Sequence, residues 1–284
     1  MSALADRIGF MQGRLSPRID GKIQAFPWPY WRDEFPLAQA LGFRRMEWTL
    51  DHHDLAANPL MTPEGRAEIL ALSARHDLAV SSITGDCFMQ TPFWKAHGAA
   101  RTTLVEAAAD IIRAAAAVGA GILVVPLVDD GALTTAAEED ALADGLRSLT
   151  PLLRQVGVRI AFESDYPPDE LAGFIERVPP DIAGINFDIG NSASLGWPPE
   201  EEVPLLASRL INVHVKDRLL GGTTVPLGQG AADLPVVFRL LREAAYDGLL
   251  ILQTARAEDD DHLGAARRYR DLVLDLAGED GDHV

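Results

Sequence analysis

Four stretches of the chain each end in a side chain able to give a lone pair to a cation. They are Arg159-Ile-Ala-Phe-Glu163-Ser, Gly184-Ile-Asn-Phe-Asp188-Ile-Gly, Ile211-Asn-Val-His214-Val-Lys216-Asp217 and Leu249-Leu-Ile-Leu-Gln253-Thr. Each has the length and period-two alternation of a β-strand. Ala161 and Glu163 oppose Ile160 and Phe162, and Asn186 and Asp188 oppose Ile185, Phe187 and Ile189. In the third stretch Asn212, His214 and Lys216 share one face, against Ile211, Val213 and Val215. Taken singly, each residue has an ordinary structural reading, such as a satisfied core histidine or a solvated lysine. All four in phase imply convergence on one point. Two carboxylates buried there require a shared proton, an arginine or a divalent metal between them. Three oxygen donors and one imidazole favour Mn2+, Mg2+ or Co2+, and are compatible with Zn2+.

The elements that must carry these residues are legible along the whole chain. Eight strand-length runs occur at 8–13, 45–50, 80–84, 122–127, 159–164, 184–189, 211–216 and 249–254. Helical patterns separate them, clearest at 99–118, 138–155, 199–207 and 234–245. Such alternation calls for an α/β fold with a parallel sheet and crossover helices. Eight units in about 250 residues match a (β/α)8 TIM barrel, whose active site lies at the C-terminal ends of the strands. A doubly wound sheet is the rival, but Gly9-Phe-Met-Gln-Gly13 lacks the GxGxxG turn of dinucleotide sites. The expected organisation is one barrel domain over 1–277 and a frayed acidic tail over 278–284.

Composition narrows the partners. Of 284 residues 48% are apolar, enough for a full core. The formal net charge of -17 argues against nucleic acid and anionic membranes as partners. Cys87 is the single cysteine, which leaves no disulfide framework and no thiolate zinc cluster. Residues 107–128 are the most apolar stretch, yet Asp110, Arg113 and Gly119 interrupt it, so a helix followed by a strand is expected there, not a membrane span. The first residues lack a signal-peptide layout, and a soluble, cytoplasmic protein is expected. A homo-oligomer is compatible with all of this.

Further candidates lie at the expected barrel rim. Arg14 ends the first strand with a guanidinium fork suited to an oxyanion. The loop after it holds Phe26, Trp28, Tyr30 and Trp31, which could stack on a sugar or simply pack. Glu47 and Asp86 are rim carboxylates for substrate binding or for internal ion pairs. Asn191 suits a substrate hydroxyl or a turn cap. Gly228 and Gly230 lie in a glycine-rich loop where barrels often hold phosphate, with Arg218 and Arg256 as neutralising cations. Such a loop is also built for its turns alone.

The stretches Ile160-Ala-Phe-Glu163, Asn186-Phe-Asp188-Ile-Gly-Asn191 and Val213-His214-Val-Lys216-Asp217 resemble the xylose isomerase-like sugar phosphate isomerase/epimerase superfamily. Pro226-Leu-Gly-Gln-Gly230 and Tyr246-Asp-Gly248 extend the likeness over essentially the whole chain, with the pentulose and hexulose phosphate 3-epimerases and isomerases as the nearest pattern. The resemblance implies one divalent metal held by Glu, Asp, His and Glu from strands five to eight, the two glutamates also serving as acid and base. Glu163, Asp188 and His214 match that pattern; Gln253 departs from it. A neutral amide can ligate a metal but cannot take a proton from carbon, which favours isomerisation through an enediolate with Glu163 as base, or a stand-in at Lys216, Glu47 or Asp86. The expected substrate is a small sugar or sugar phosphate. Alternatives are a dehydratase acting on a keto-inositol and a non-catalytic sugar-binding barrel. A phosphodiester-cleaving nuclease of this barrel type would need more histidines and a basic surface.

Overall fold

The computed structural model describes residues 4–278; the acidic tail beyond Gly278 lies outside them. Its strands are β1 (Ile8–Met11), β2 (Arg45–Thr49), β3 (Ala79–Thr84), β4 (Ile122–Leu127), β5 (Arg159–Ser164), β6 (Ala183–Asp188), β7 (Leu210–Val215), β8 (Asp217–Arg218), β9 (Thr224–Val225) and β10 (Leu249–Leu252). Eight of them close into a parallel barrel in the order β1-β10-β7-β6-β5-β4-β3-β2. All eight expected strands are present, and the helices named from the sequence run over Gly98–Ala117, Ala136–Val156, Pro199–Leu206 and Leu234–Glu243. Some rim elements were not anticipated. They include the antiparallel hairpin β8–β9 and the short helices Asp86–Gln90 and Ile189–Leu195, all at the C-terminal rim.

The alternation fixes which residues meet inside. Phe162 points out of the barrel and meets Phe174 of helix Pro168–Glu176 edge-on at 5.6 Å. Its neighbours Ala161 and Glu163 therefore face the interior. Across β6 and β7 the register pairs Asn186 with Asn212 and Asp188 with His214. A register shift between Ile185 and Asn186 sets this pairing. On the other side of β7, His214 pairs with Ile251. Gln253 is two residues beyond Ile251, and its N–H continues the ladder to the Val215 carbonyl at 3.1 Å. Its side chain thus shares the face of His214, one layer nearer the mouth.

The rim loops are fastened by buried charges. Glu34 accepts the N–H groups of Gly13 and Leu15 at 2.9–3.0 Å, and Arg256 donates to the carbonyls of Gly13 and Ser16. Burial raises the Glu34 carboxyl to about 7 against the opposing effect of these amides. After β7, the buried Asp217 carboxylate accepts from Gly228 and Gly230, both at 2.9 Å, and from Ala232 at 3.1 Å. A β-carbon on Gly230 would overlap that carboxylate. The aromatic residues of the first loop build core. Phe26 and Trp31 are buried against Trp48 at 5.4 and 5.6 Å, and Trp28 packs edge-on against Phe26 at 4.8 Å.

Phe162 is fully buried between β5 and its helix. Phe162→Ala should cost about 3–5 kcal/mol of stability by urea denaturation, from lost burial plus the cavity left behind.

Candidate active site

At the C-terminal mouth of the barrel lies a cavity of about 620 Å³, with Asp86, Glu163, Asn191, Lys216, Arg218 and Gln253 among its lining residues. Beneath it sits the charged cluster. His214 is fully buried, and its two ring nitrogens face different carboxylates. Nε2 lies 2.8 Å from Glu47 Oε1, while Nδ1 is 3.2 Å from Glu163 Oε2 and 3.8 Å from Asp188 Oδ2. Burial alone would lower the imidazole's proton affinity. The carboxylates of Glu47, Asp188 and Glu163 more than offset that and hold it well above its ordinary value. Burial pushes the Asp188 carboxyl up, but Lys216 and His214 hold it below the usual carboxylate range.

Neutral amides orient these charges. Asn186 Nδ2 donates to Glu163 Oε2 at 2.9 Å and lies 3.1 Å from His214 Nδ1. Asn191 Nδ2 donates to Glu163 Oε1 at 2.7 Å. Its own oxygen accepts from Lys216 Nζ at 3.0 Å and Arg218 Nη1 at 2.9 Å. The Asn191 backbone N–H donates to Asp188 Oδ1 at 2.8 Å, so the short helix after β6 starts on the Asp188 side chain. Lys216 Nζ sits 3.1 Å from Asp188 Oδ2. Gly190 makes room for that lysine, since a β-carbon there would come within 2.7 Å of Lys216 Cγ.

The donor set fits a divalent cation. One ligand atom each from Glu163, Asp188 and His214 lies within 4.8 Å of the others. Glu47 faces His214 Nε2 at 2.8 Å and so leaves Nδ1 as the nitrogen directed at Glu163 and Asp188, where it would give its lone pair to a metal once its proton is displaced; metal-binding histidines are oriented in this way. Glu47 is itself held by Ser82 Oγ at 2.7 Å and Asn212 Nδ2 at 3.1 Å. Gln253 Oε1 is buried without a hydrogen-bond partner.

The expected rim residues divide. Glu163, Asp188, His214 and Lys216 converge, and Gln253, Asp86, Asn191 and Arg218 line the cavity above them. Glu47 lies fully buried below the cavity, as the partner of His214. Arg14 is buried and donates to Thr254 O at 3.0 Å, Ile23 O at 2.9 Å and Gln24 Oε1 at 3.3 Å. Burial, with Arg256 nearby, lowers it to about 9, so it stays charged at neutral pH. Arg256 is spent on two backbone carbonyls, and the amides of Gly228 and Gly230 on Asp217. The phosphate cradle expected from these three residues therefore serves internal bonds instead.

Sequence reasoning missed the roles of Asn186, Asn212, Ser82 and Gln24. The two asparagines had a usable signal, since each precedes Asp188 or His214 by two residues on the same face. Gln24 had none, lying in an irregular loop.

The fold is a closed α/β barrel with a cluster at its mouth that could hold a metal ion. The chain belongs to the xylose isomerase-like TIM barrel family, whose pattern matches residues 35–272. It is 26% identical over 186 residues to an inosose dehydratase of Bacillus cereus (strain AH820), covering 56% of this chain. The matched region spans 61% of that relative's length. Among solved structures, a xylose isomerase-like TIM barrel protein of Mycobacterium smegmatis in complex with magnesium superposes with a TM-score of 0.69 at 22% identity, covering 98% of both chains. A D-allulose 3-epimerase of Methylomonas sp. gives a TM-score of 0.75 at 15% identity, over 95% of this chain and 97% of its own. At these identities the structural likenesses establish the fold. No helix among the described residues is long and apolar enough to cross a membrane.

Removing the charge of Glu47 should release His214. In Glu47→Gln the imidazole should titrate at lower pH than in the parent, as followed by NMR of the His214 ring. An unchanged titration would contradict the ion pair described here.

Proposed function

We propose that this chain is a divalent-metal-dependent isomerase or epimerase of a ketose, with Glu163 as the base that takes a proton from the carbon beside the carbonyl. The observation that carries this reading is the Glu163 carboxylate itself. It lines a polar cavity, belongs to the cluster with Asp188 and His214, and is held in one orientation by Asn186 and Asn191. A divalent cation held by Glu163, Asp188, His214 and Gln253 would stabilise the negative charge that develops on the substrate's oxygens. The magnesium named for the Mycobacterium smegmatis protein supports that assignment.

The remaining steps fall to side chains. Proton removal leaves an enediolate; Glu163 can return the proton to the neighbouring carbon on the same face while the proton of the adjacent hydroxyl passes to the former carbonyl oxygen, which completes an isomerisation. Epimerisation needs a second proton donor on the other face. Gln253 cannot serve, because an amide does not exchange protons with carbon. Asp86 and Lys216 are the candidates. Burial raises the Asp86 carboxyl to about 7, against the lowering effect of its bond from Gln24, so near neutrality it can hold a proton. The substrate is best read as unphosphorylated. The glycine-rich amides and Arg256 are already engaged, and the lining cations Lys216 and Arg218 are both bonded to Asn191. A neutral polyol competes for such amides without needing a free cation.

A second reading is dehydration of a cyclic polyhydroxy ketone such as a keto-inositol. The curated inosose dehydratase relatives favour it, as does a protonated Asp86 able to supply the proton of a departing hydroxyl. Both reactions start with the same proton removal.

With Mn2+ present and a panel of free ketoses and keto-inositols in deuterated solvent, the parent should exchange substrate C–H for C–D, as read by NMR. Glu163→Gln should slow this by about 10²–10⁴-fold. Absence of exchange with every compound would sink the proposal. A product lighter by one water would instead select dehydration. If Asp86 donates a proton in the slow step, turnover should fall as pH rises through about 7, where that carboxyl loses its proton. The pH profile of Asp86→Asn should then lack that limb.

A further inference from the structure

Gln253 is bonded to a chain of side chains whose hydrogen-bonding senses are all dictated from one end. Arg14 is that end. A guanidinium only donates, and Arg14 Nη2 lies 3.3 Å from Gln24, so the atom of Gln24 facing it is the amide oxygen. Arg14 cannot turn away, because Nε is fastened to Thr254 O and Nη1 to Ile23 O. With its oxygen committed, Gln24 presents its nitrogen to Asp86 Oδ2, an acceptor. The same Gln24 oxygen also faces Gln253 at 3.1 Å. Only the Gln253 nitrogen can donate to it, which leaves the Gln253 oxygen on the other side of the amide. That oxygen is the buried atom without a partner. By strand register it belongs to the face of His214, and its residue lines the cavity that also holds Glu163.

We propose that Arg14 and Gln24 are positioning residues that orient the Gln253 amide so that its oxygen, and not its nitrogen, is offered to the Glu163–Asp188–His214 cluster as a neutral metal ligand. The proposal rests on the metal-dependent reading above. It also accounts for the identity of residue 253. A glutamate there would set a carboxylate oxygen against the Gln24 oxygen, lone pair to lone pair. Gln24 could not relieve this by turning over, since it would then face Arg14 with its own N–H groups. Glutamine at 253 is therefore matched to glutamine at 24 and arginine at 14.

The test is Mn2+ affinity of the full chain, measured by calorimetry and by the loss of free-Mn2+ EPR signal. Folding of each variant is followed by circular dichroism. Gln24→Met should weaken Mn2+ binding by about 10–100-fold, the usual effect of losing a side chain that orients a ligand. Gln253→Glu should bind Mn2+ no tighter than the parent despite its added charge. The pair Gln253→Glu with Gln24→Met, which removes the opposing oxygen, should bind tighter than Gln253→Glu alone. Unchanged Mn2+ affinity in Gln24→Met, or a tenfold gain in Gln253→Glu by itself, would overturn the relay. Should Gln24→Met fail to fold, the comparison of Gln253→Glu with the parent decides alone. Asp188→Asn separates the two levels of argument. If the parent binds no Mn2+, the metal reading falls and the relay with it. If Asp188→Asn abolishes binding while Gln24→Met matches the parent, only the relay falls.

Discussion

The structure turns on an imbalance of charge inside a closed ring of strands. Glu47, Glu163 and Asp188 point at one buried imidazole, and Lys216 is the further cation in direct contact with the group. Three carboxylates therefore face at most two positive charges. Carboxylates removed from water without full compensation are expensive, and such clusters persist where a cation or a proton is part of their working state. The fold tolerates the arrangement because the barrel wall is continuous. The closed ring leaves no free sheet edge, so the interior side chains carry most of the polar problem.

What holds these charges apart is a layer of uncharged amides. Asn186, Asn191 and Asn212 each touch a carboxylate and also a second polar partner; Asn186 and Asn191 each span two charged groups, and Asn212 ties Glu47 to Asn186. Lysines or arginines in their place would have neutralised the carboxylates and closed the site to a divalent ion. Amides orient without neutralising. The outer loops repeat the device, with Gln24 linking Arg14, Asp86 and Gln253.

Much of this was legible in the sequence, and the reason is the period of two. Alternation in β5, β6 and β7 placed Glu163, Asp188 and His214 on inward faces, and parallel strands bring equivalent ends to one level. The rim residues were harder. Whether Arg14 binds a substrate or the Thr254 carbonyl depends on a partner 240 positions away, which no local pattern encodes. Gly228 and Gly230 fit a phosphate loop by composition, yet Asp217, two residues past the His214 strand, reaches them first. A carboxylate next to a glycine-rich loop was visible, but its direction depended on the hairpin formed by Asp217–Arg218 and Thr224–Val225, too short to announce itself.

That diversion of donors bears on the chemistry. A phosphate needs several N–H groups or cations free at once, and here the glycine-rich amides close on an internal carboxylate while Arg256 holds the first loop to its neighbours. Half of the residues that line the cavity are carboxylates or amides, joined by threonines, a few apolar residues, Lys216 and Arg218. Such a lining suits a ligand rich in hydroxyls, each of which can donate to one wall and accept from another. The acidity of the surface and the polarity of the mouth thus act in the same direction. Anionic groups meet a net charge of -17 from a distance, whereas a neutral polyol would meet only the local hydrogen bonds of the mouth.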